Sequence, residues 1–174
     1  MDLFLLGVVS SFFGFLLKES WGQYIQRKRM AVAFLSEIQS LLNQFKMVGG
    51  DKLFDLSNGT ATFMLVDENF FIIYDSNANI LGIFNEQLAG DIVRLYVNAK
   101  GFVCTIKTWK MIIIDYRNPD NMKNVDEYAI VGKEHYASVI EDADIVIKGL
   151  NDAISEKYIC WAISYFCNIV KNFV

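Results

Sequence analysis

LFLLGVVSSFFGFLL, residues 3–17, runs for fifteen residues without a charge, and the placement of the rest of the chain turns on it. At about 1.5 Å per residue such a helix is ~23 Å long, and snorkelling by Asp2 and by Lys18 to Ser20 brings it near the core of a thin bilayer. Trp21 and Tyr24 follow where aromatic side chains favour the membrane interface. Lys18, Arg27, Lys28 and Arg29 all lie on the C-terminal flank, so the positive-inside rule places the N-terminus outside and the bulk of the chain in the cytoplasm. The rivals are a cleaved signal and a buried soluble helix. The chain begins Met-Asp instead of with positive charge and runs past Leu17 without a small-residue cleavage site, which argues against the first. The second stays open because apolar runs this short also occur in cores.

Gly7, Ser10, Ser11 and Gly14 fall within one arc of roughly 100° on this helix. In lipid, helices associate through close backbone approach, so a face of small residues predicts helix packing or a pore. The alternative is chance, because Gly and Ser are common in such helices. Lys18, Trp21, Tyr24, Arg27, Lys28 and Arg29 are the predicted interface residues.

Composition agrees with an apolar excess. Hydrophobic residues form 53% of the chain, above the roughly 45–50% of ordinary soluble domains, so something apolar faces lipid or another subunit. At 174 residues the chain suits one domain with an appendage, read as an anchor over residues 1–20 and a cytoplasmic helical domain over 21–174. The net charge is −4, and Arg27 to Arg29 is the only tight basic cluster, so no direct nucleic-acid binding is expected.

Helical periodicity continues past the anchor. Leu35, Ile38, Leu42 and Phe45 recur at threes and fours up to Gly49-Gly50. From Asn85, a predicted N-cap, Leu88, Ile92, Leu95, Ala99, Phe102, Ile106, Trp109 and Ile113 predict a long amphipathic helix ending near Tyr116, before Asn118-Pro119. A last helix is predicted from about Met122, with Gly132, Tyr136, Val139, Ala143, Val146, Leu150 and Ala153 on one side, and Gly149 as its bend. Between these helices, 51–70 could hold a small hairpin around Ser57-Asn58-Gly59. The fold class is therefore mainly α: a transmembrane helix followed by an antiparallel cytoplasmic bundle. Tyr158 to Val170 holds thirteen uncharged residues, too short for a comfortable span, and is read as core or interface, with a second membrane insertion or a helix lying in the lipid surface as the alternatives, the latter lacking a strongly basic face. Tyr158, Trp161, Tyr165 and Phe166 are its oligomer-interface candidates.

No catalytic constellation emerges. His135 is the sole histidine and is read as a solvated helix-face residue, so histidine triads and zinc sites lack parts. The carboxylates Asp126-Glu127 and Glu141-Asp142-Ala-Asp144 are read as a charged exterior. Cys104, Cys160 and Cys167 lack C-x-x-C spacing and are read as reduced core residues. No catalytic residue, metal or cofactor is expected, and an enzyme is not the favoured class.

Tyr74-Asp-Ser-Asn77, Ile80-Leu-Gly-Ile-Phe84, Leu88, Ile92-Val93 and Tyr96 resemble a pattern in many small uncharacterised bacterial membrane proteins, over roughly Met1 to Gly101. In plan the chain also resembles the membrane-anchored accessory protein of type VI-B CRISPR systems. That resemblance implies a bacterial inner-membrane, single-pass homo-oligomer that forms a pore, enhances antiviral defence and is linked to a CRISPR effector. Some members are credited with a divergent ribonuclease motif of Arg, four to six residues and His. Here the matching positions before His135 are Tyr128, Ala129 and Ile130, so only the membrane role carries over. The expectation is a pore-type or membrane-perturbing effector; the alternative is a membrane-anchored adaptor that recruits a cytoplasmic partner without forming a pore.

Overall fold

Three apolar stripes at helical spacing build the core. Ala31, Phe34, Ile38, Leu41 and Phe45 are buried on the first helix, Leu88 through Trp109 on the second, and Val139, Ala143, Val146, Leu150 and Ala153 on the third. A computed structural model describes residues 2–47, 49–54, 68–114 and 119–173. The helices are α1 (Asp2–Met47), α2 (Ile72–Asn77), α3 (Glu86–Ile114), α4 (Pro119–Ser155) and α5 (Tyr158–Phe173), with 3-10 turns at Gly50–Phe54, Glu68–Phe71 and Ala78–Ile83. The chain is mainly helical, as the periodicity predicts. The hairpin considered for 51–70 falls largely outside the described residues, and its described flanks are 3-10 turns.

Helix boundaries follow local chemistry at most ends. Gly49 and Gly50 stop α1 with φ of 102° and 55°, the left-handed region that side chains resist. Asn85 caps α3 through its side-chain oxygen, which accepts the Leu88 amide at 2.8 Å. Pro119 opens α4, where its missing N–H costs nothing.

Cross-helix pairs set the directions. Phe34 meets Phe84 and Tyr96, Phe45 meets Phe102, and Phe54 meets Trp109, so α1 and α3 run the same way. A Cβ on Gly50 would fall on Tyr136, while Arg27 pairs with Glu156, so α4 returns antiparallel to both. The antiparallel expectation thus holds for α4 and not for the α1–α3 pair. The resemblance block supplies the descent between them: Leu81, Phe84, Leu88, Ile92 and Tyr96 are buried, and Val93 is exposed.

That short descent is tied to α1 by a buried carboxylate. Glu37 accepts the amides of Ile73 at 2.7 Å and Tyr74 at 3.2 Å, doing for α2 what an N-cap side chain would do. Tyr96 donates its hydroxyl to the same carboxylate. Burial first, and then the Glu37 bond and charge, push the Tyr96 pKa far upward and keep this donor protonated. Tyr74 stacks on Tyr96 at 4.1 Å.

Candidate membrane-contact site

α1 extends beyond the bundle at its N-terminal end. Val8, Phe12, Phe13, Phe15 and Leu17 are each more than half exposed, and at about 100° per residue they spread over roughly 200° of the helix surface, the rest being the small-residue face. Such a surface is what lipid or another apolar body covers. Among the described residues, however, no helix is long and apolar enough to cross a membrane. The physical reason lies in the sequence: the uncharged run ends after fifteen residues at Lys18 and Glu19, whereas a span takes about 20.

The small-residue face lies on this projecting part. A Cβ on Gly7 or Gly14 would meet nothing within 4 Å. The Ser10 and Ser11 hydroxyls both donate to the Gly7 carbonyl, at 3.0 and 2.8 Å. Their polarity is thereby absorbed inside the helix, and the face presents a shallow surface for close approach.

The root of the projection is gripped by the turn between α4 and α5. Ser20 donates to the Leu17 carbonyl at 3.0 Å, so its single hydrogen is committed, and the 2.7 Å contact with Tyr158 is then donated by the tyrosine. Tyr24 donates to the Glu156 carbonyl at 2.8 Å, and Arg27 pairs with the Glu156 carboxylate. Trp21, Tyr24, Tyr158 and Trp161 form a chain of ring contacts with centroids 4.8 to 6.2 Å apart. The break between α4 and α5 contains neither Gly nor Pro; Tyr24 holds the Glu156 carbonyl where the helix would otherwise continue.

These contacts revise the predicted set. Lys18 and Arg29 are exposed and Trp21 is half exposed. Tyr24 and Arg27 are instead buried against the α4–α5 turn, and Lys28 rests its ammonium 4.8 Å from the centroid of the Tyr24 ring. Of the oligomer-interface candidates, Trp161 is buried and Tyr158 half-buried on α1 of the same chain, with Tyr165 stacked on Trp161 at 5.0 Å. Phe166 is half-buried, with its ring edge-on to Tyr165 at 5.6 Å. Ser20 and Glu156 complete the grip and carried no signal in the sequence, because one lies in a polar flank and the other in an uninterrupted helical pattern.

Other polar groups also depart from their sequence readings. His135 is half-buried, with Nδ1 2.9 Å from the Thr105 hydroxyl. That hydroxyl donates to the Gly101 carbonyl at 3.1 Å, so Nδ1 is the donor to Thr105. Asp142 is buried, accepting from Arg94 Nε at 2.7 Å and Asn98 Nδ2 at 2.6 Å, and does not belong to the charged exterior. Asp142 and, more weakly, Asp91 push the Arg94 pKa upward. Cys104, Cys160 and Cys167 are free and exposed, which corrects their reading as core. Gly149 sits in unbroken helix with Leu88 Cδ1 2.7 Å from where its Cβ would lie, so it serves close packing instead of a bend.

A cavity of about 210 Å³ lies above the grip, lined by Arg27, Phe84, Glu156, Trp161 and Tyr165 among others. Its arginine and carboxylate neutralise each other. Among the described residues no group of three His, Cys, Asp or Glu is placed to hold a metal ion. No protein-family model, curated protein or solved structure matches this chain.

Proposed function

We propose that this protein is a membrane-anchored homo-oligomer in which the projecting end of α1 enters the bilayer and perturbs it. One observation carries the reading: from Val8 to Leu17 the helix is built of Phe, Leu, Val, Gly and Ser, and its described side chains are exposed apart from the half-buried Leu16. Length supports perturbation over quiet anchoring. A ~23 Å apolar helix in a ~30 Å hydrocarbon core is mismatched by about 7 Å, which the bilayer relieves by thinning or by gathering helices together. The open face of Gly7, Ser10, Ser11 and Gly14 supports that gathering. The resemblance to the CRISPR accessory family gives the reading its narrower form, a pore-type effector of antiviral defence.

The second reading is an anchored adaptor without a pore, favoured by a bundle whose core closes within a single chain. Vesicle flotation and dye leakage on the full chain and on a triple variant, Gly7→Leu with Ser11→Leu and Gly14→Leu, separate the two. Flotation is expected to persist in the variant while particle mass and leakage fall, because leucine favours insertion but holds helices apart. Leakage unchanged by the variant overturns self-association through this face. Wild-type protein that floats without causing leakage leaves the adaptor.

A further inference from the structure

Among the described residues, the outward face of α5 is left largely uncovered. At about 100° per residue, Phe166, Ile159, Ile163, Cys167 and Cys160 share an arc of roughly 120°. Ile159 is 71% and Ile163 62% exposed, and both cysteines are exposed. The opposite side of the helix, with Trp161, Ser164 and Tyr165, lines the cavity beside Gln23, Phe84 and Glu156 and so faces the bundle. The apolar face therefore points away from the bundle. No charge interrupts it, since the sequence from Tyr158 to Val170 is uncharged between Lys157 and Lys171.

We propose that α5 lies in the surface of the bilayer, with Ile159, Ile163 and Phe166 against lipid. The inference rests on the reading that α1 is anchored there, and three observations favour lipid over another occupant. Level is the first: the Tyr158–Ser20 hydrogen bond fixes the start of α5 three residues beyond the end of the uncharged run of α1, where a bilayer holding that run has its surface. Continuity is the second, because the α5 face and the α1 projection leave the bundle at the same end. Charge is the third: Lys18 and Lys157, both exposed, flank the apolar surface at the same level, as the basic margins of an interfacial helix do. α1 and α5 then make a stake and a foot, joined through Trp21, Tyr24 and Tyr158.

The native cysteines supply the probe. Cys160 and Cys167 lie on the α5 face and Cys104 lies on α3 within the bundle, so single-cysteine full-length proteins carry an environment-sensitive bimane at each site. A fourth protein carries it at Val8→Cys on α1, all in phosphatidylcholine/phosphatidylglycerol vesicles with brominated acyl chains. An interfacial helix sinks about 5–10 Å below the headgroups, so labels at Cys160 and Cys167 are expected to lose about half their emission to the brominated lipid. The label at Cys104 is expected to be unchanged and to remain quenched by aqueous iodide. If Val8→Cys is quenched by lipid while Cys160 and Cys167 remain open to iodide, the anchor stands and the surface helix is wrong. Shielding of Cys160 and Cys167 from iodide without quenching by brominated lipid assigns the face to a second copy of the chain and overturns the proposal. No lipid quenching at any site, Val8→Cys included, overturns the anchor itself.

Discussion

Gly132 is where α4 presses hardest on the core, and replacing it by alanine tests that packing directly. A Cβ there would sit 2.4, 2.5 and 2.7 Å from three ring atoms of Phe54. The ring has little room to withdraw, because Phe54 is 2% exposed and stands edge-on to Trp109 at 5.7 Å and Phe102 at 6.1 Å. Two effects oppose each other. Alanine in a helix interior gains about 1 kcal/mol over glycine, whereas overpacking a filled core costs about 1–3 kcal/mol, here toward the upper end because three atoms clash together. The net loss is about 1–2 kcal/mol, or a fall in Tm of roughly 2–8 °C for a chain of this size. Thermal unfolding of the full chain in one detergent, followed by circular dichroism, reads it. In a Phe54→Leu background the clash is relieved and the same Gly132→Ala change should be neutral or stabilising. If Gly132→Ala raises Tm with Phe54 in place, the ring does not occupy that position and the seating of α4 on the Gly50–Phe54 turn is wrong.

Glu156→Gln removes the carboxylate that neutralises Arg27, whose side chain is only 8% exposed, and should cost about 1–3 kcal/mol, less than a fully buried pair because Glu156 keeps 29% exposure. Replacing both residues by Met should cost less than Glu156→Gln alone, a comparison that denaturant unfolding of the three proteins makes. His135→Ala is expected to lower stability by no more than about 1 kcal/mol, since Thr105 keeps its bond to the Gly101 carbonyl; a greater loss in the same unfolding assay would assign His135 a larger role than this single hydrogen bond.

The stripes were the legible part of the sequence. Leu88 through Trp109 keep their spacing because every step of three or four returns to the same face, and each of the seven is buried. Asn85, Gly49 and Gly50 were legible because capping and positive φ have residue preferences of their own. The break after Ser155 is not legible: the Glu156 carbonyl there accepts from the Tyr24 hydroxyl, 132 residues away in sequence, and Ser155-Glu156-Lys157 contains no breaker. Gly149 predicts a bend because glycine usually signals backbone freedom, but here it makes room for Leu88. Asp142 looked like surface for the same kind of reason, since its burial depends on Arg94 and Asn98 reaching it from another helix. At the candidate site the apolar run was plain from composition. The inward turn of Tyr24 and Arg27 was not, because interfacial and buried aromatic or basic residues read alike until their partners are known.

The grip on the root of α1 joins residues that are made far apart in time. Ser20 waits for Tyr158, Tyr24 for the Glu156 carbonyl and Arg27 for the Glu156 carboxylate, separations of 138, 132 and 129 residues. At a synthesis rate of about 5–20 residues per second, the apolar end of α1 precedes the residues that brace it by on the order of ten seconds. During that interval its phenylalanines and leucines have no collar, and the side chain of Arg27 has no counter-charge. Delivery to a bilayer while the ribosome is still at work would shelter the helix before its brace exists. Arrival of the α4–α5 turn would then act as a latch, fixing the stake at its depth only once the whole bundle has been made.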